Sequence, residues 1–185
     1  MKNTLLLFLL LTVSQLKAQF FQQKSIEASI GLGYTQVDEN ISMYGDGFYL
    51  QGEYVLKVYS WFELRPYAGI IFAKAESEKT APNDPVYKSV TNAFLIGGKT
   101  RLKAPIPYFA PYFEIGIGAS LGSFEVYTPL RNIEKEGIIL HIPFSIGVAL
   151  GRKNNIDIEF TYYNHSSIKQ YAGAFAVGIL IPLKS

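Results

Sequence analysis

The sequence predicts an all-β protein, an eight-stranded antiparallel up-and-down transmembrane β-barrel. Three observations carry that expectation. Eight stretches of about ten residues alternate apolar and polar side chains with a period of two, the pattern of a strand with one apolar face. Their connections alternate between short and long. The composition sets 13 Tyr, 13 Phe and 16 Gly beside a charged fraction of 17%, well below the roughly 25% of ordinary soluble domains.

The elements follow in order. "IEASIGLGYT" (26–35) opposes Ile26, Ala28, Ile30, Leu32 and Tyr34 to Glu27, Ser29, Gly31, Gly33 and Thr35. "FYLQGEYVLK" opposes Phe48, Leu50 and Tyr54 to Gln51, Glu53 and Lys57, and "FELRPYAGIIFA" opposes Phe62, Leu64, Ile70 and Phe72 to Glu63, Arg65, Tyr67 and Ile71. A fourth strand over 89–102 sets Phe94, Ile96 and Leu102 against Gly97, Lys99 and Arg101. "YFEIGIGASLG" and "HIPFSIGVAL" repeat the pattern, with Phe113, Ile115 and Ile117 against Glu114, then Phe144 and Ile146 against His141 and Ser145. "IDIEFTYYNH" opposes Ile156, Ile158, Phe160 and Tyr162 to Asp157, Glu159 and His165. The eighth, "YAGAFAVGILI", opposes Phe175, Val177, Ile179 and Ile181 to Ala172, Ala174, Ala176 and Gly178. Strands of this length cross a bilayer when tilted. Pro66, Pro111 and Pro143 cannot donate to a ladder, so bulges or strand ends are expected there.

"VDENISMYGDG", "ESEKTAPNDPVYK" and "VYTPLRNIEKEG" read as long polar loops, "SSIKQ" as a brief one, and "YSW", "APIPYF" and "GRKNN" as short turns on the opposite side. Short turns on the periplasmic side and long loops outside are the habit of outer-membrane barrels. The first 18 residues, with Lys2 ahead of an apolar run from Leu5 to Val13, read as a signal peptide cleaved after Ala18, leaving 19–185 as the barrel domain. That run is shorter than the roughly 20 residues a spanning helix needs. Lys2 and Lys17 lie in this segment, so the 17 basic residues fall to 15 and match the 15 acidic ones. A neutral chain lacks the basic patch that nucleic acid requires. With no cysteine, no disulfide framework holds an exported chain.

Periodicity alone allows the apolar face to point either way, and the polar face decides. Glu27, Glu53, Glu63, Glu114, Asp157 and Glu159, with Arg65, Lys99 and Arg101, are interspersed there with glycine and alanine. Small residues beside opposite charges suit the narrow interior of an eight-stranded barrel. These nine are expected to form a network that plugs the lumen, with Lys57 near its edge. The other face is apolar through its centre and carries the aromatics Tyr34, Phe48, Tyr54, Phe62, Phe72, Phe113, Phe144, Phe160, Tyr162 and Phe175, placed to meet lipid and its interfaces. The alternative is a soluble carrier of lipocalin type, with a cavity lined by residues such as Ile30, Leu50 and Ile117.

The chain resembles the small outer-membrane barrels of the OmpX and OmpA transmembrane-domain type and other porin-like single barrels. The resemblance covers residues 19–185 and rests on pattern. It implies a cell outer membrane location and contact with outer-membrane lipids and lipopolysaccharide. Such barrels usually end in an aromatic residue, whereas this chain ends "ILIPLKS". A narrower resemblance is to lipid A deacylases of the PagL type, through His165-x-Ser167 in "YYNHSSIKQY". It implies an ester hydrolase with Ser167 as nucleophile and His165 as base. In that family Asn follows the serine and the final strand supplies an orienting carboxylate, but here Ile168 follows and no Asp or Glu occurs after Glu159. Parity also groups His165 with the lumen residues.

His141 and His165 read as two isolated histidines, and no metal or cofactor is expected. No glycine loop precedes a helix to cradle phosphate. The expectation is therefore a non-enzymatic outer-membrane barrel whose polar loops meet an extracellular protein or glycan.

Overall fold

The computed structural model describes residues 21–37, 45–77, 87–129, 131–168 and 170–183. The predicted signal peptide, and the centres of two of the predicted long loops, lie outside these residues. β1 (Gln23–Val37), β2 (Gly45–Tyr59), β3 (Phe62–Glu76), β4 (Lys88–Lys103), β5 (Tyr108–Thr128), β6 (Arg131–Gly151), β7 (Ile156–His165) and β8 (Gln170–Pro182) follow one another around a closed barrel. Every neighbour is antiparallel, and β8 closes on β1, as at Ile30↔Val177. Closure removes both sheet edges, which is what allows a sheet to stand in lipid with all its backbone groups paired. The fold is that of an eight-stranded transmembrane β-barrel.

Alternation sets the two faces. Tyr49, Gln51, Glu53 and Val55 of β2 are buried, while Phe48, Leu50 and Tyr54 between them are exposed. The same exterior carries Ile30, Leu32, Ile96, Ile117, Leu140, Phe144, Phe160, Phe175 and Ile179. Ile30, Leu50 and Ile117, the residues that a lipocalin-like cavity would need, are 57%, 42% and 67% exposed on the outside, which corrects that alternative. Phe48, Tyr54 and Phe72 are exposed as well, and Tyr34, Phe62, Phe113 and Tyr162 are half-buried on the same face by ring neighbours. Tyr34 stacks on Phe160 at 5.7 Å, Phe113 meets Phe144 at 5.2 Å and Tyr162 stacks on Tyr171 at 5.0 Å. At the short-turn end Tyr59, Trp61, Tyr108 and Phe109 add exposed rings, with Tyr59 and Trp61 stacked at 5.8 Å.

Three expectations need correction. Most strands are longer than ten residues, reaching 21 in β5 and β6. "VYTPLRNIEKEG" is therefore no long loop: β5 and β6 continue to pair up to Thr128↔Arg131, so the segment is a projecting hairpin. Its backbone groups, having left the belt, satisfy one another across the ladder rather than relying on water. Third, the prolines neither end strands nor shift register. Pro66 faces Gly98, Pro111 faces Val148 and Pro143 faces Tyr163 in continuous register. Among the described residues the register shift falls instead at Lys57/Tyr59, beside the tight turn into β3. A proline lacking one donor is tolerated because each strand has a second neighbour whose ladder continues past it.

The outward position of Ile117 gives a direct check. Ile117→Arg places a charge on the apolar belt and should cost about 2–4 kcal/mol near the bilayer midplane. Urea unfolding in lipid vesicles reads this. A change below about 0.5 kcal/mol, the size of an ordinary surface substitution, would mean that this face does not meet lipid.

Candidate functional site in the barrel lumen

The lumen is filled in three layers. At the short-turn end lies an ionic layer. Glu27 comes from β1, Glu53 from β2, Glu63 and Arg65 from β3, Lys99 and Arg101 from β4, Glu114 from β5, and Asp157 and Glu159 from β7. All nine are buried. The register sets like charges opposite each other at Glu27↔Glu53 and Arg65↔Lys99, pairings that destabilise a sheet when left alone, and opposite charges at Glu63↔Arg101 and Arg101↔Glu114. Curvature resolves the conflict by bringing strand pairs together across the lumen. Arg65 bonds Glu27, places Nε 2.5 Å from Glu53 Oε2, and reaches Glu63 Oε2 at 3.3 Å. Lys99 Nζ lies 2.6 Å from both Glu53 Oε1 and Glu114 Oε2. Arg101 spans Glu114 Oε1 at 2.5 Å, Asp157 Oδ2 at 2.9 Å and Glu159 Oε2 at 3.4 Å, with its guanidinium 3.5 Å from the centre of the Tyr112 ring. Lys103 joins at the rim, 2.6 Å from Glu63 Oε1.

Oxygens of Glu53, Glu114 and Glu159 lie within 4.8 Å of one another, the spacing of a cation site. The cation there is an ammonium, because Lys99 sits against all three. The ionic layer thus supplies its own counter-ions, with six carboxylates set against three fully buried cations and Lys103 at the rim.

Above it, hydroxyls and imidazoles form a second layer. Gln51 Nε2 donates to Glu53 Oε1 at 2.7 Å, Tyr163 donates to Gln51 Oε1 at 2.8 Å, and the Tyr49 and Tyr163 hydroxyls meet at 3.0 Å. Ser120 Oγ lies between two imidazoles, 2.7 Å from His141 Nδ1 and 2.8 Å from His165 Nε2, while His141 Nε2 meets the Tyr67 hydroxyl at 2.5 Å. The expectation of two isolated histidines is therefore corrected: their rings are 5.6 Å apart. Gly118 makes room for them, since a Cβ there would stand 2.5 Å from His141 Nε2.

The third layer closes the long-strand end. Ile71, Leu95, Phe124, Ile139 and Ile168 are buried together against Ala172 and Ala174. Beside them Thr35 bonds Ser89 at 2.8 Å and Thr91 at 2.9 Å, and Gln170 Nε2 donates to Ser89 Oγ at 2.8 Å and Val90 O at 2.9 Å. The turn after β7 folds Ile168 inward, with its N–H bonded to His165 O at 3.1 Å. Alternation had placed Ile71 on the lumen face, but a polar-lumen reading gave an apolar residue there no role.

This geometry bears on His165-x-Ser167. His165 is fully buried and its Nε2 is bonded to Ser120, whereas Ser167 is exposed on the turn after the strand end. One side chain is inside the barrel and the other is exposed in the turn beyond the strand end, and no hydrogen bond joins them among the described residues.

No protein-family model matches the chain, and no curated protein matches it. Solved structures do. Neisserial surface protein A (NspA) superposes with a TM-score of 0.53 at 12% identity over 86% of this chain and 97% of its own. The N-terminal β-barrel domain of Pseudomonas aeruginosa OprF gives 0.49 at 11% identity, over 86% of this chain and 98% of that one. The outer membrane enzyme PagL gives 0.47 at 13% identity, over 86% and 99%. At such identities the likeness is one of fold. The chain has the fold of the small outer-membrane β-barrel proteins, with NspA the likeness that carries this statement.

Two substitutions test the layers. Arg65→Met removes the partner of Glu27 and Glu53 and should destabilise the barrel by about 3–5 kcal/mol, with little relief from added salt because the pairs are buried. Ser120→Ala strands one nitrogen on each histidine and should cost about 1–3 kcal/mol. Urea titration followed by heat-modifiable gel shift reads both; a loss below about 0.5 kcal/mol for either, within the range of surface changes, would show that layer to be dispensable.

Proposed function

We propose that this chain is a non-enzymatic outer-membrane protein, a closed barrel that holds surface elements outside the cell. The observation that carries this reading is the filled lumen. An eight-stranded barrel has room for side chains and little else, and here three stacked layers use that room. The reading is supported by the ionic layer, in which Arg65, Lys99 and Arg101 each bridge carboxylates from several strands. The absence of a His165–Ser167 pairing across the wall argues against the deacylase reading.

What remains available for contact is the long-strand end. The hairpin formed by 123–128 and 131–136 carries Glu125, Tyr127, Asn132, Glu134, Lys135 and Glu136, and Lys88 ties its base to β4 through Glu125 at 2.6 Å. A paired hairpin presents these groups on a stiff frame, which lowers the ordering cost of binding a protein or glycan partner.

The absence of native cysteine makes the topology easy to test. In intact cells Asn132→Cys should react with a membrane-impermeant maleimide while Lys153→Cys should not, and purified protein in planar bilayers should give no sustained current. Equal labelling of both, or ohmic steps from the wild type, would overturn the reading, as would lipid A ester release abolished by Ser167→Ala.

A further inference from the structure

At the short-turn end the barrel is not filled to its rim. A cavity of about 590 Å³ opens there, lined by Gln23, Ser25 and Val55 of the barrel wall, Lys57, Glu63 and Lys103 at the strand ends, and Lys153 with its neighbours in the turn between β6 and β7. This is well within the size range of sites for small organic ligands. Its charge is unbalanced. Three ammonium groups face one carboxylate, and that carboxylate is already shared, with Glu63 Oε1 2.6 Å from Lys103 Nζ and Oε2 3.3 Å from Arg65. Lys57 and Lys153 make no ion pair among the described residues. Lys57 projects to the lumen side of β2, two residues beyond buried Val55, and Lys153 stands on the opposite wall.

We propose that this mouth is a binding site for the terminal carboxylate of a short peptide. A cleft lined by one sign of charge with low-dielectric walls concentrates the opposite ion. Lys57 and Lys153 supply two free donors from opposite sides, which suits a carboxylate with its two oxygens. The amides of Gln23, beside Lys57, and of Asn155, beside Lys153, line the same cavity and both donate and accept, as peptide groups require. A phosphate dianion fits less well, because Glu63 and the six-carboxylate layer lie directly beyond and repel a second negative charge more strongly. The site faces away from the hairpin and owes nothing to the lumen histidines. Its ligand would come from the periplasm if the proposed orientation holds, but the chemistry of the site does not depend on it.

The test uses the full mature barrel refolded in detergent, with tri-alanine, tri-alanine amide and inorganic phosphate as probes followed by calorimetry at low ionic strength. Tri-alanine should bind, its amide should bind at least tenfold more weakly, and phosphate should not compete at equal concentration. The double variant Lys57→Gln, Lys153→Gln should lose tri-alanine binding at least tenfold, while Lys74→Gln, on the exposed outer face, should leave it unchanged. A gel shift that matches wild type shows that the double variant is folded. No binding of tri-alanine, equal binding of the amide, equal competition by phosphate, or full binding by the folded double variant would each overturn the proposal. Labelling of Lys153→Cys from outside intact cells would overturn the orientation alone and leave the carboxylate site standing.

Discussion

A closed tube of eight strands leaves its inward side chains few alternative neighbours, so a charge placed inside must find its partners among the other inward groups. Arg65 is where this constraint is sharpest. Adjacent strands set Glu27 against Glu53 and Arg65 against Lys99, two like-charge pairs that a flat sheet would leave facing each other beside the favourable Glu63↔Arg101 and Arg101↔Glu114 pairs. Rolling the sheet brings the guanidinium of β3 onto the carboxylates of both β1 and β2. The ionic layer therefore gains from closure: Arg65–Glu27, Lys99–Glu53, Arg101–Asp157 and Arg101–Glu159 join strands that are not neighbours and form only when the sheet is rolled, whereas Arg65–Glu53 and Arg101–Glu114 already join neighbouring strands. Such a layer is weak evidence of net stability, since desolvation offsets much of the Coulomb gain. Its sharper effect is on which closed register is tolerated, because a one-residue slip of any of these strands would turn that strand's charges into the apolar belt.

The same constraint explains the uneven distribution of size around the wall. β8 presents Ala172, Ala174, Ala176 and Gly178 inward, opposite strands that carry Arg, Lys, Tyr and His. A Cβ on Gly178 would stand 2.5 Å from Ser29 Oγ, so the small residues are the volume complement of the large ones rather than an independent feature. Layers differ along the axis for a related reason. The ionic layer ends at an open mouth with Lys103 at the rim, while the other end is capped by Phe124, Ile139 and Ile168 without any formal charge. The tyrosine and histidine layer between them passes from charged acceptors, through Gln51, to apolar rings.

Much of this was legible because a period of two has only two phases. Once Glu27, Arg65 and Asp157 were set inward, the remaining inward residues followed, and so did the outward Ile30 and Phe175. Which inward residues meet across the lumen was not legible, since that depends on tilt and closure and no local pattern records it. His141 and His165 stand on different strands, and nothing near either predicts that Ser120 of a third strand joins them. The hairpin of β5 and β6 was hidden for a different reason. Polar residues such as Glu134, Lys135 and Glu136 read as loop, but outside the belt a strand no longer needs an apolar face, so polarity stops being a signal of irregular backbone. Proline misled in the same way: the β2–β3 ladder skips two pairs at Pro66, yet its other neighbour holds the register.

Filling the lumen also fixes where chemistry can occur. A histidine next to a serine two residues on suggests catalysis only if both reach the same side of the wall, and strand alternation keeps them together only while the strand lasts. β7 stops at His165. The turn then carries Ser167 outward and tucks Ile168 inward, trading a potential nucleophile for an apolar cap. The imidazole of His165 is instead bonded through Nε2 to Ser120 inside the barrel, away from the exposed Ser167. What lies exposed beyond the apolar belt is confined to the two ends, a stiff mixed-charge hairpin at one and a lysine-lined mouth at the other, separated by a core whose own groups are engaged with one another.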